Sequence, residues 1–201
     1  LGVIVAGAEL GRLLADQGAD VVKVENRAFP DGLRQSLTGA PMSVSFALGH
    51  RGKRSAGIDL KSEEGRALFK RMVARADLVL SNFKPGTLES LGLSYEALRE
   101  INPRIVMADS SAHGNTGPMS RTMGYGPLVR AAVGLTYLWR DPSDPAGFSD
   151  GITIYPDHAA ARVLAIGALA ALVRRRRTGH GGTTSVSQAE VFLSAMATGL
   201  L

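Results

Sequence analysis

The stretch SEEGRALFKRMVARADLVL, residues 62–80, decides the fold class. Ser62 followed by Glu63 and Glu64 is a helix start: the hydroxyl can accept a first-turn N–H, and the acids oppose the positive end of the helix dipole. Leu68, Met72 and Val73 then recur at helical spacing, and residues 78–80 form a short, wholly apolar run. The same order of helix and strand is repeated on both sides. Leu10, Leu13 and Leu14 are helical, stop at Gly18 and lead to a β-branched run over 21–24; Ser94 opens a helix ending before Pro103, with the next strand at 105–107. Strands that lack polar alternation are buried on both faces, so the pattern predicts an α/β fold, a parallel sheet with helices flanking it on either side.

After Arg121 the pattern changes. A glycine- and proline-rich passage, 140–156, leads into a long helix starting near Asp157, which carries Val163, Ile166, Leu169 and Leu172 and ends at the run Arg174 to Arg177 before Gly179. Cations in a last turn complement the dipole, so the arginines read as a solvated helix end. A further helical pattern runs over 188–201. Leu1 opens an apolar run without a methionine and Leu201 falls inside that last pattern, so the chain is expected to be truncated at both ends and part of a longer protein.

Composition excludes several classes. The chain has 201 residues, 45% of them hydrophobic and 20% charged, enough for one globular core. Its net charge of +5 comes mostly from the arginine run, so there is no spread basic face and no nucleic-acid partner is expected. Cysteine is absent, which removes disulfides, thiolate nucleophiles and thiolate metal sites, and fits a cytoplasmic location. The apolar stretch 159–173 is interrupted by Arg162 and shorter than the roughly 20 residues of a membrane span, so no membrane is expected.

Nucleotide loops are near-misses. Gly124-Tyr125-Gly126 lacks the third glycine of a dinucleotide fingerprint, and Gly52-Lys53-Arg54-Ser55 lacks the upstream glycine and the Lys-Ser/Thr pair of a phosphate loop. His50, His113, His158 and His180 have no paired spacing, so no metal site is expected. Asp157 has two readings. It is either an N-cap of its helix or a carboxylate presented where backbone donors can stabilise an oxyanion.

Four passages carry a resemblance: GADVVKVE (18–25), RGKRSAGIDLKSEEGRALF (51–69), ADLVLSNFKPGTLESLGLSYEALREINPRIV (76–106) and GNTGP (114–118), continuing through Asp157 and RRTGHGG (176–182). In this order they resemble the class III CoA-transferase family, which includes formyl-CoA and carnitine CoA-transferases and α-methylacyl-CoA racemase. The resemblance implies that residues 1–201 are the N-terminal part of a Rossmann-like large domain, and that the protein is an interlocked homodimer. It implies coenzyme A, as acyl-CoA, and a carboxylic acid as substrates, with no metal or redox cofactor, and it assigns the nucleophile to Asp157. It also implies that CoA lies along Ala6, Gly7, Lys53, Arg54, Lys61, Asn82, Phe83 and Tyr125. Two departures bear on these expectations. Asn26 stands where members carry arginine, with Arg27 one place later. Where the racemase branch has Gly-His-Asp, this chain has Gly124-Tyr125-Gly126, which favours transfer over isomerisation because racemisation needs an acid/base group on each side of the α-carbon. A racemase-like isomerase and a silent CoA-binding module are the alternatives.

Overall fold

In the computed structural model, which describes residues 1–36, 38–40, 42–144, 146–147 and 154–199, helices and strands alternate from the first residues onward. The order is α1 (Ile4–Asp16), β1 (Val21–Glu25), α2 (Val44–His50), β2 (Lys53–Gly57), α3 (Glu63–Val73) and β3 (Leu78–Ser81). Then follow α4 (Thr87–Ser90), α5 (Tyr95–Ile101), β4 (Val106–Ser111), α6 (Gly126–Ala132), α7 (Leu135–Leu138), α8 (Tyr155–Thr178), β5 (Gly182–Ser187) and α9 (Gln188–Ala195). Ser62 and Ser94 cap α3 and α5 as their sequence positions suggest, accepting from Gly65 N–H and Ala97 N–H. β2 and β5 have no counterpart in the sequence reading. Both are sheet-edge strands in which exposed residues interrupt burial, so neither carries an unbroken apolar run.

All pairing is parallel, as expected, but it forms two sheets: β1 with β2, and β3, β4 and β5 with β4 in the centre. Residues 1–3 run between them. Lys23 of β1 donates Nζ to Gly2 O at 2.9 Å, and Asn82, just past β3, accepts from Val3 N–H and donates to Val3 O, each at 2.8 Å. One core bridges the two sheets, with Leu1, Val24, Phe69, Val79, Leu98 and Ile105 packed together.

α8 crosses the molecule on an alanine-rich face. Ala161, Leu164, Ala165 and Ala168 are buried against Leu10 of α1 and Ala108 of β4, whereas Val163, Ile166 and Leu169, the residues that marked the helix in the sequence, are exposed. Small side chains let the helix approach its neighbours closely, so apolar size does not predict the buried face here. α8 has 24 residues and by length and composition alone could cross a membrane, which corrects the length argument above; its alanine face packs against α1 and β4. The arginine run is not simply solvated. Arg174 donates to Gly181 O at 2.8 Å, and Arg175 reaches Asp77 Oδ1 at 2.7 Å and Arg104 O at 3.2 Å, tying the end of α8 to the starts of β3, β4 and β5.

The return from α8 into β5 depends on Gly181. Its N–H donates to Pro103 O at 3.0 Å, and a Cβ at this position would collide with Ile105 O. Gly181→Ala should therefore lower the thermal midpoint by the equivalent of ~1–3 kcal/mol. Gly57→Ala, with nothing within 4 Å of the added carbon, should change stability by less than about 0.5 kcal/mol. Equal thermal midpoints for the two variants would show that this close approach carries no constraint.

Candidate active site

Asp157 is the third residue of α8, behind Pro156, whose missing N–H costs nothing in a first turn. The N-cap position is Ile154, so the capping reading of Asp157 is corrected: it lies inside the helix, three residues past the cap. Instead it is 6% exposed and turned toward the starts of three other helices. Gln188, the first residue of α9, donates Nε2 to Asp157 Oδ1 at 3.4 Å. The backbone N–H groups of Gly126, first in α6, and Ala6, third in α1, face the carboxylate. A side chain at Gly126 would collide with Asp157 Oδ2, so only glycine allows this approach.

First-turn N–H groups have no partner within their own helix, and four such turns meet here. Burial pushes the Asp157 carboxyl above the ordinary aspartate range. The Gln188 amide, the charge of His158, and the Gly126 and Ala6 N–H groups act the other way without cancelling it.

The turn that carries Ala6 is strained. Ile4 has φ 52°, left-handed backbone that a β-branched residue rarely adopts. Its N–H is held by Asp31 Oδ1 at 3.0 Å, and Asn82 holds Val3 by both its N–H and its carbonyl. Asp31 is itself buried: Lys23 Nζ lies 2.7 Å and His50 Nε2 3.3 Å from Oδ2, and Leu33 N–H donates to Oδ1 at 2.9 Å. Although burial acts in the opposite direction, donors from His50, Lys23 and Leu33 hold the Asp31 carboxyl well below the usual carboxylate range.

Other residues singled out in the sequence lie as follows. Ala6, Gly7 and Asn82 gather at this turn, where Gly7 packs against Gly2 with Asn82 Oδ1 beside it. Lys53 is turned inward, donating to Ala8 O at 2.7 Å and Gly49 O at 3.0 Å, with His50 Nδ1 at 3.0 Å; burial and then Lys23 lower its pKa to about 8. Arg54 is exposed and paired with Asp20, and Lys61 sits 4.3 Å over the Phe29 ring. Phe83 packs on the main core. Tyr125 precedes Gly126, half-exposed, with its hydroxyl 3.6 Å from Met123 Sδ. His158 faces Glu9 of α1, with Nδ1 3.6 Å from Oε2. Among the described residues no three His, Asp or Glu side chains group as metal ligands.

Gly126 and Gln188 escaped the sequence reading. The first had a signal in Pro127, which marks a helix start at the glycine discounted above as a nucleotide loop. The second had one in Ser187-x-x-Glu190, a capping-box pattern whose serine is the N-cap directly before Gln188.

Residues 1–201 match the family described as CoA-transferase family III. The chain belongs to that family. It is 55% identical over 203 residues to the probable CoA-transferase Rv1866 of Mycobacterium tuberculosis, covering 98% of this chain and 26% of that protein. It is 38% identical over 201 residues to the succinyl-CoA–D-citramalate CoA-transferase of Chloroflexus aurantiacus, covering 98% of this chain and 49% of that one. The crystal structure of Rv3272 from M. tuberculosis superposes with a TM-score of 0.88 at 34% identity, over 98% of this chain and 54% of that chain. The chain thus spans a quarter to a half of these proteins, and it is the N-terminal part of the family's sequence.

The raised Asp157 carboxyl has a consequence for stability. Between the ordinary aspartate value, about 3.9, and its own higher value, the folded chain binds more protons than the unfolded one, so this group's contribution to stability falls as pH rises. Above that window the ionised group is a cost. Asp157→Asn, equal in size but uncharged, should unfold at a higher temperature than the parent at pH 7 and at a similar one near pH 3. Thermal melts at the two pH values check this, and a variant less stable at pH 7 would contradict it.

Proposed function

We propose that this chain carries the nucleophilic half of a CoA-transferase that moves CoA from an acyl-CoA donor to a carboxylic acid acceptor, with Asp157 forming a covalent aspartyl-CoA thioester. The observation that supports it most strongly is the buried Asp157 carboxylate facing neutral donors from three other helix starts. Desolvation leaves a carboxylate more reactive, and donors fixed around it can hold negative charge on a tetrahedral intermediate without rearranging.

The Asp157 carboxylate attacks the thioester carbonyl, forming a C–O bond as the C–S bond breaks and the electron pair leaves on the CoA sulfur. The mixed anhydride is then attacked by the CoA thiolate at the Asp157 carbonyl carbon, which releases the donor acid and leaves CoA on the enzyme. The acceptor acid returns through the same steps in reverse. Excluding water keeps the activated acyl group from hydrolysis.

In this reading Ala6, Gly7 and Asn82, at the turn beside Asp157, lie nearest the thioester, with Tyr125 and Phe83 near the same arm. Arg54 and Lys61 are exposed cations available to the CoA phosphates. Lys53, committed to Ala8 and Gly49 carbonyls, acts by securing α1 against β2. The exposed stripe Val163, Ile166 and Leu169 supports a homodimer interlocked across α8, since an apolar row of this kind is unfavourable in water.

Incubation with succinyl-CoA followed by hydroxylamine should convert Asp157 to a hydroxamate, located by peptide mass spectrometry. Asp157→Ala should lose the adduct and reduce CoA transfer by roughly three orders of magnitude or more. Transfer by the alanine variant at the parental rate would remove Asp157 from the mechanism.

A further inference from the structure

Gln188 is 5% exposed, an uncommon position for a glutamine. It is not needed for the helix start: Ser187 Oγ caps α9, accepting from Glu190 N–H at 3.3 Å. Its side chain instead crosses to α8, where Nε2 donates to Asp157 Oδ1, while Oε1 is buried with no partner among the described residues. A buried acceptor that lost its water and gained no donor destabilises the fold. A methionine would fill similar space without that cost, so packing does not account for an amide at this position.

The two oxygens of Asp157 are in different surroundings. Oδ2 lies against the Gly126 backbone, whereas Oδ1 is touched by Gln188 over a long 3.4 Å bond. We propose that Gln188 is a positioning residue whose amide holds Asp157 Oδ1 as the attacking oxygen and keeps Oδ2 against Gly126. This rests on Asp157 being the nucleophile. Oδ1 then forms the bond to the acyl carbon as the C–S bond breaks. When the CoA thiolate attacks Cγ, the Cγ–Oδ1 bond breaks and Oδ1 departs with the acyl group as the carboxylate. Oδ2 carries the negative charge of the tetrahedral stage and remains as the carbonyl oxygen of the aspartyl thioester. A weak bond to Oδ1 suits an atom that must leave, and Oδ2, lying against the Gly126 backbone, is the atom that stays.

The test uses Gln188→Met and Gln188→Leu in the full chain, with succinyl-CoA as probe and Asp157→Ala as control. Both Gln188 variants should melt at or above the parental temperature. Adduct formation at saturating succinyl-CoA should slow roughly tenfold or more, with the half-saturating concentration changed by less than about twofold. Parental adduct rates in both variants would overturn the proposal. So would slowing accompanied by a lower melting temperature, which would indicate a structural role, or slowing expressed only in half-saturation. An adduct in Asp157→Ala would instead contradict the nucleophile reading, and the role of Gln188 would fall with it.

Discussion

Burying one carboxylate among neutral donors is the constraint around which this domain is arranged. Asp157 is held by the Gln188 amide and faced by the N–H groups of Gly126 and Ala6, which belong to segments far apart in the chain. For these to meet, α1, α6, α8 and α9 must all begin at one point. The parallel sheet makes that possible, because the β4–β5 pair delivers Ser187 and Gln188 beside Ala112, whose carbonyl accepts from Ala189 N–H at 3.0 Å. The Gly126 and Ala6 N–H groups belong to first turns, which offer them no partner within their own helix, so aiming them at the carboxylate costs no helical hydrogen bond.

A second arrangement holds the most difficult of those four starts. Left-handed backbone at a β-branched residue costs about 1–3 kcal/mol, and Ile4 adopts it just before Ala6. Asp31 offsets this. A hydrogen bond to a charged group contributes about 1.5–3 kcal/mol, and Asp31 accepts from Ile4 and Leu33 N–H as well as from the Lys23 ammonium. His50 and Lys53 continue the network to α2 and β2. The buried charges thus lie one layer behind the Asp157 carboxylate and shape the backbone that faces it, and among the described residues none of them forms a salt bridge to Asp157.

The parts of this arrangement that follow local rules could be read from the sequence. Ser62 and Ser94 mark helix starts that the structure keeps, and the apolar runs at 78–80 and 105–107 fall on β3 and on the start of β4. The partition into two sheets could not be read, because it depends on residues 1–3 being gripped by Lys23 and Asn82 from distant segments. Nor could the buried face of α8, where alanines rather than larger side chains make the contact. Asp157 stood out, but as either a cap or a reactive group; the position of Ile154 at the N-cap removes the first reading. The inward turn of Lys53 was equally hidden, since a lysine beside an arginine in a glycine-flanked segment reads as surface charge until the carbonyls of Ala8 and Gly49 are in place around it.

The central claim is that burial outweighs the surrounding donors and leaves Asp157 a desolvated carboxylate. Its side-chain carbon can be followed directly by titrating the chain labelled with 13C at aspartate carboxyls, with the Asp157 resonance assigned from its absence in a substituted chain. The account predicts a midpoint above the ordinary aspartate value of about 3.9. A midpoint at or below that value would mean that the donors prevail, and would contradict it.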